Sequence, residues 1–225
     1  KKFKPDLLLE IGSNDGALIK NFKKENIKGV EPCKNLAKIT KQNGYLTYAQ
    51  YWNFDLAKKI KKRFNSVDVI YSANTITHIN NLNNVFKSIN YLLSNEGILI
   101  IEDPSLLECL KKNSYDQFYN EHIYLFSALA VKNLLNKFGF EIFDIENLST
   151  HGGSLRYYIK RKTNKKQKIS YRFNNQIKNE KKFGLHKFEV YKKFSVNVLK
   201  SKIKLLQILN KIKRNKKKII GYGAT

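Results

Sequence analysis

The 225-residue chain contains no methionine. A native chain starts with Met, so the expectation is a processed chain or a fragment. Its end agrees with that: Lys218-Ile219-Ile220-Gly221-Tyr222-Gly223-Ala224-Thr225 reads as a strand entering a Gly-x-Gly turn, where the sequence stops. Cysteine is almost as scarce. Cys33 and Cys109 are the only two, with no metal spacing, which excludes a disulfide framework and makes a reducing compartment the default. There is no run of 18 apolar residues, which excludes a membrane-spanning helix, and no signal peptide can be read, so a soluble, cytoplasmic protein is expected. There is no internal repeat, which excludes a solenoid. Acids are few: 18 Asp+Glu stand against 43 Lys+Arg, a formal net charge of +25. Such a balance suits a nucleic-acid or membrane partner, or lysines spread over solvated faces. The lysines run from Lys1 to Lys218, which favours the second reading, and their field would still help recruit an anionic substrate.

What is present begins with Leu7-Leu8-Leu9-Glu10-Ile11-Gly12-Ser13-Asn14-Asp15-Gly16, an apolar strand running into a glycine-bracketed acidic turn. Ala17-Leu18-Ile19 follows as a helical pattern. A strand, a tight turn and a helix start together bring backbone close to a ligand. The spacing is not Gly-x-Gly-x-x-Gly, and no Gly-Lys-Ser/Thr follows. Glu10 and Asp15 would repel a pyrophosphate and suit a cationic, hydroxyl-bearing ligand, of which S-adenosylmethionine (SAM) is one. Lys28-Gly29-Val30-Glu31-Pro32 reads as a second short strand ending in an acid, placed where a doubly wound fold sets a carboxylate on a ribose diol. The two segments together resemble motifs I and II of class I SAM-dependent methyltransferases.

Strand signals at 7–11, 29–31, 67–72, 97–102 and 140–145 alternate with helix-like segments at 18–24, 35–41, 54–64, 82–93 and 128–138. The alternation predicts an α/β fold, a doubly wound, mostly parallel sheet of seven strands over residues 1–162. Ser154–Arg161 is a later strand expected at the sheet edge. Residues 163–225 form a second region. Thr163–Lys181, polar and basic, reads as a linker. A long helix follows, with Phe188, Tyr191, Phe194, Val198, Leu205, Leu209 and Ile212 along one face.

Three segments carry polar groups beyond the carboxyl ends of strands, where such folds place ligands. They are Asn74-Thr75-Ile76-Thr77-His78, Tyr115-Asp116-Gln117-Phe118-Tyr119-Asn120-Glu121-His122, and His151-Gly152-Gly153-Ser154-Leu155-Arg156. Asn74 and His78 would share one face of a helical turn. No pair of the histidines has a tight metal-ligand spacing, so no metal is expected.

Glu10–Gly16, Gly29–Pro32, Tyr119–His122 with Phe126-Ser127, and His151–Arg156 together resemble the sugar C-methyltransferase family, over nearly the whole chain. Those SAM-dependent enzymes methylate C3 of nucleotide-linked 4-keto-deoxysugars. Gly221-Tyr222-Gly223-Ala224 resembles the start of the family's C-terminal domain. Two departures stand out. The family carries an N-terminal zinc-binding domain that contributes to the substrate site, and this sequence begins just before motif I. The family has a histidine where Asn120 stands, so no histidine role passes to that position.

The resemblance implies a set of roles. Methylating a carbon beside a ketone needs a base, donors for the enolate oxygen, and in-line placement of the methyl. His122 is the expected base, with Glu121 or Tyr119 orienting it or completing the proton path. His78 and Asn74 hydrogen-bond the keto oxygen or sugar hydroxyls. Glu31 binds the SAM ribose, and Glu10, Gly12, Ser13, Asn14, Asp15, Gly16, Pro32 and Ala73 line the rest of the cofactor site. Asn120 and His151 lie on the substrate side, and Arg156 is the candidate for the diphosphate. The partner is then a nucleotide-linked sugar, with no nucleic acid and no membrane, and the oligomeric state stays open. O- or N-methylation of a sugar or small metabolite remains an alternative, as does a non-catalytic, basic domain that binds nucleic acid.

Overall fold

The computed structural model describes residues 5–221. A 7-stranded sheet has the order β3-β2-β1-β4-β5-β7-β6. Its strands are β1 (Leu8–Ile11), β2 (Ile27–Val30), β3 (Thr47–Tyr48), β4 (Val67–Ala73), β5 (Leu93–Pro104), β6 (Phe140–Leu148) and β7 (Ser154–Arg161). The β1–β2, β2–β3, β1–β4 and β4–β5 ladders are parallel, whereas β7 runs antiparallel to both β5 and β6. The helices are α1 (Lys34–Gln42), α2 (Phe54–Phe64), α3 (Leu82–Leu92), α4 (Leu106–Lys112), α5 (Ala128–Asn136), α6 (Tyr171–Phe183) and α7 (Phe188–Arg214).

β1 and β2 are buried at every position, as expected of parallel strands covered on both faces. Leu9, Ile11, Ile70, Leu99, Ile101 and Tyr157 join Leu56, Ile60, Phe86, Ile89, Val131 and Leu135 of the helices in the main core. Five helices start on a polar side chain that accepts a backbone N–H of the first turn: Asn53, Asn81, Ser105, Ser127 and Ser170. Each such cap is worth about 1 kcal/mol.

The alternation thus yields the expected doubly wound sheet, with five local differences. The expected helix at 18–24 is only a 3-10 turn, Ile19–Asn21. The Asn21 amide donates to the carbonyls of Ala17 and Leu18, and Phe22 turns extended, so the helix does not propagate. β3 escaped sequence reading because Thr47–Tyr48 is too short to show alternation. β7 does not lie at the edge. It is inserted between β5 and β6, and β6 is the edge strand. Leu155, Tyr157 and Ile159 are buried on one face and Tyr158 and Lys160 on the other, which marks an interior strand. The expected linker at 163–181 holds α6, which buries Phe173, Gln176 and Glu180 in a polar-looking sequence. Residues 218–220 form no strand, and the rest of the terminal Gly-x-Gly turn, 222–225, lies outside the described residues.

α7 forms as its apolar stripe predicts, but packs only through its first turns. Tyr191 and Phe194 meet a cluster of Leu107, Leu110 and Leu185. Further along, Leu205 of that stripe is exposed, as are Leu199, Ile203 and Leu206.

Candidate active site

The turns that leave β1, β2, β4 and β5 lie at one end of the sheet. Gly12, at φ +79°, lets the β1 turn close on the β4 turn, since a Cβ there would come within 2.0 Å of Thr75 Oγ1. The backbone N–H groups of Gly12 and Ser13 donate to the Val30 carbonyl at 2.8 and 3.1 Å. Glu31 is buried, and its carboxylate accepts from the backbone N–H of Asn14 (2.8 Å) and of Cys33 (2.9 Å). The two loops are thereby joined, and each carboxylate oxygen keeps a further lone pair. Pro32 between them is half-buried. Asp15 is exposed and accepts from the Ala17 N–H at 3.2 Å. Gly16 packs on Thr40, whose methyl a Cβ would meet at 2.7 Å.

Glu10 stands out. It is buried, and its Oε2 has no hydrogen-bond partner among the described residues; the Ser13 hydroxyl shares that condition. Burial, and then the charges of Glu31 and Asp15, push the Glu10 carboxyl up to about 8. Buried polar atoms without partners are costly, and here they border a glycine turn where a ligand's donors would satisfy them.

The three polar segments meet at the same end. Asn74 follows Ala73, the last residue of β4, in the left-handed region at φ +47°, and its N–H donates to the Glu102 carbonyl. That turn breaks the face-sharing expected of Asn74 and His78. A 3-10 turn, Ile76–His78, carries His78 away, and the Asn74 amide instead meets His151 Nε2 across 77 residues of sequence. His151 is itself left-handed at φ +49°. His78 lies edge-on to His122, ring centroids 4.9 Å apart. Burial, and secondarily the His122 charge, lower the His78 pKa from its ordinary value and favour the neutral ring.

His122 is oriented at both nitrogens. Nδ1 lies 3.0 Å from the Gln117 carbonyl, and Nε2 lies 2.9 Å from the Tyr119 hydroxyl. A carbonyl can only accept, so Nδ1 carries the proton and Nε2 presents its lone pair to the phenol. Of the two expected orienting groups, Tyr119 therefore touches the imidazole. Glu121 instead sets its charge and its backbone beside His78. Asn120 and Tyr119 are exposed. The Tyr124 N–H donates to the Thr77 carbonyl, tying the loop to the His78 turn.

Arg156 is not a free cation. Its guanidinium donates to Glu102 at 2.8 and 3.0 Å and to Glu146 at 3.3 Å, in cross-strand register. Sequence reading missed Asp103. It is fully buried at the end of β5, accepts from the Thr77 hydroxyl at 3.2 Å, and has a second oxygen without a partner. Burial, opposed by that hydrogen bond and helped by the Glu102 charge, pushes it up to about 8. Its signal was a Glu-Asp pair closing an apolar strand. Among the described residues, no three His, Cys, Asp or Glu side chains are grouped to hold a metal ion.

Comparison with known proteins matches residues 1–145 to a family model described as a methyltransferase domain, and residues 149–225 to one described as a C-methyltransferase C-terminal domain. The chain is 24% identical over 221 residues to the C-methyltransferase NovU of Streptomyces niveus, covering 97% of this chain and 52% of that protein. It thus spans about half the length of that relative. Among solved structures, a SAM-dependent methyltransferase from Anabaena variabilis superposes with a TM-score of 0.53 at 13% identity, over 69% of this chain and 77% of that one. Magnesium protoporphyrin IX methyltransferase of Synechocystis, solved with bound SAH, gives 0.50 at 16% identity, over 69% and 74%. The sheet is the class I SAM-dependent methyltransferase fold.

Proposed function

The chain belongs to the methyltransferase-domain family, whose cofactor is SAM, and on that premise we propose that it methylates carbon beside a ketone, in a nucleotide-linked 4-keto-deoxysugar. The observation that carries the reading is the grouping of Tyr119 and His78 about His122, with the Asn74–His151 pair on the same β4 turn as His78, which the β1 turn meets at Gly12. An acidic C–H requires a base and oxyanion donors, and O- or N-methylation has no need of the donors. The match of residues 149–225 to a C-methyltransferase domain supports the same chemistry.

The β1 and β2 turns fit the cofactor. Glu10 Oε2 and Ser13 Oγ are buried polar atoms without partners among the described residues, Gly12 admits close backbone approach, and Glu31 is a fixed carboxylate for a diol. When bound, SAM supplies an electrophilic methyl group. The residues of this chain do the rest. The Tyr119 oxygen takes the proton from C3 as its own proton passes to His122 Nε2, while the Gln117 carbonyl holds the imidazolium through Nδ1. The charge that develops on the keto oxygen is met by N–H donors of Asn74, His151 and neutral His78. Bound SAM would present that methyl in line with the carbanionic carbon, its sulfur leaving as the neutral thioether of S-adenosylhomocysteine.

Incubation with SAM and a thymidine-diphosphate 4-keto-6-deoxysugar, followed by NMR, should place the new methyl on C3. A methyl found on oxygen or nitrogen would refute the reading. His122→Asn should lower turnover about a hundredfold or more and slow solvent-deuterium exchange at C3 to match. Exchange at the wild-type rate would remove His122 from the proton path.

A further inference from the structure

Resting on the nucleotide-sugar reading above, we propose that the cleft between α4 and α7 seats the substrate's nucleoside diphosphate, with Lys200 and Lys204 on its phosphates. The cleft measures about 600 Å³, and its lining is polar or basic at Asn113, Asn197, Lys200, Ser201, Lys204 and Gln207 and apolar at Ile203. The chemistry of that lining is specific. Two ammonium groups are point charges suited to phosphate oxygens. The Ser201 hydroxyl and the amides of Asn197 and Gln207 match ribose hydroxyls and a base edge. Asn113, left-handed at φ +57° where it caps α4, has a buried Oδ1 with no partner among the described residues. That acceptor calls for a hydroxyl or an imide N–H.

The two lysines of the cleft carry uncancelled positive charge. Among the described residues, neither Lys200 nor Lys204 makes an ion pair, and α7 carries no acidic residue after Glu189. Arg156 is already bound to Glu102 and Glu146. The nearest acid on α4, Glu108, is engaged by Lys111 and Lys112.

The elements that line the cleft are tied to the segments of the candidate active site. Asn113 leads through Ser114 into the turn Tyr115–Gln117 that precedes Tyr119. Lys112 donates to the Gly152 carbonyl, next to His151. The Phe118 and Phe194 rings pack 5.5 Å apart, which sets α7 against the loop that carries the phenol. Lys200 lies six residues beyond Phe194, about 9 Å of helix rise.

The test is calorimetric titration with thymidine diphosphate and with uridine diphosphate, neither carrying a sugar. The wild type should bind at least one. Lys200→Glu/Lys204→Glu should weaken that binding roughly tenfold or more, the scale of losing a charge-assisted contact, with SAM affinity and circular dichroism unchanged. Lys211→Glu/Lys213→Glu makes the same charge change outside the cleft and should alter binding less than about twofold at 0.15 M salt. Equal losses in both variants, no loss in the first, or no binding by the wild type would overturn the proposal. The readout needs no turnover. A protein that binds the nucleotide through these lysines yet methylates no 4-keto sugar refutes the reaction and keeps the cleft. One that methylates with an unchanged KM in the cleft variant does the reverse.

Discussion

Asp103 shows how a single residue can couple the site to pH. Its carboxyl has a pKa of about 8 in the folded chain and about 4 in an unfolded one. The folded state therefore holds a proton that the unfolded state releases above that lower value. The stabilisation is full below about pH 4 and is lost as pH rises towards 8. Asp103→Asn cannot ionise, so its melting temperature should fall less steeply over that range and exceed the wild type's at pH 8. Parallel melting profiles would show that the buried carboxyl keeps its proton equally in both states. Glu10, with the same elevated pKa, contributes to the slope that remains. His122 and Tyr119 were legible in sequence as a dense aromatic and acidic segment. Asp103 was hidden, because its burial depends on β7, whose Leu155 pairs beside it from a distant part of the sequence.

At the scale of elements, α6 is the segment whose character the sequence concealed. Its composition is that of a linker, yet the fully buried Glu180 reaches the N-terminus of α5. Its carboxylate accepts from the N–H groups of Ala128 and Leu129, each at 2.8 Å, and from the Gln176 amide at 3.0 Å. Those N–H groups are the orphans of a helix start, and an anion there also meets the helix dipole. Glu180→Ala leaves them buried and unpaired, and should cost about 2–4 kcal/mol in urea denaturation. A loss below about 0.5 kcal/mol would mean that water replaces the carboxylate. The substitution lies away from the Tyr119–His122 pair, so turnover of the folded fraction should hold.

For the whole molecule, the net charge of +25 acts as a field rather than as a contact. A positive protein attracts a diphosphate substrate over a Debye length and does little for SAM, whose net charge is a single positive one. With the proposed nucleotide sugar as substrate, raising salt from about 50 to about 200 mM should increase its KM severalfold and leave KM for SAM within about twofold. Equal salt dependence of the two would assign the lysines to solvation alone.

The sequence by itself determined the alternating, doubly wound plan and the two glycine-acid turns, though neither β3 nor the place of β7. Those signals are local: a strand's burial shows in its own apolar run, and a turn's conformation in its own glycines. It also named the polar segments whose histidines and tyrosine meet, because their residue types stand out from the chain around them. Only the tertiary structure decided which of them touch. Asn74 reaches His151 rather than sharing a face with His78, since a left-handed residue redirects the chain. Arg156 is bound to Glu102 and Glu146 because β7 enters the sheet between β5 and β6. These outcomes depend on pairings between residues far apart in sequence, and no local pattern specifies such a pairing.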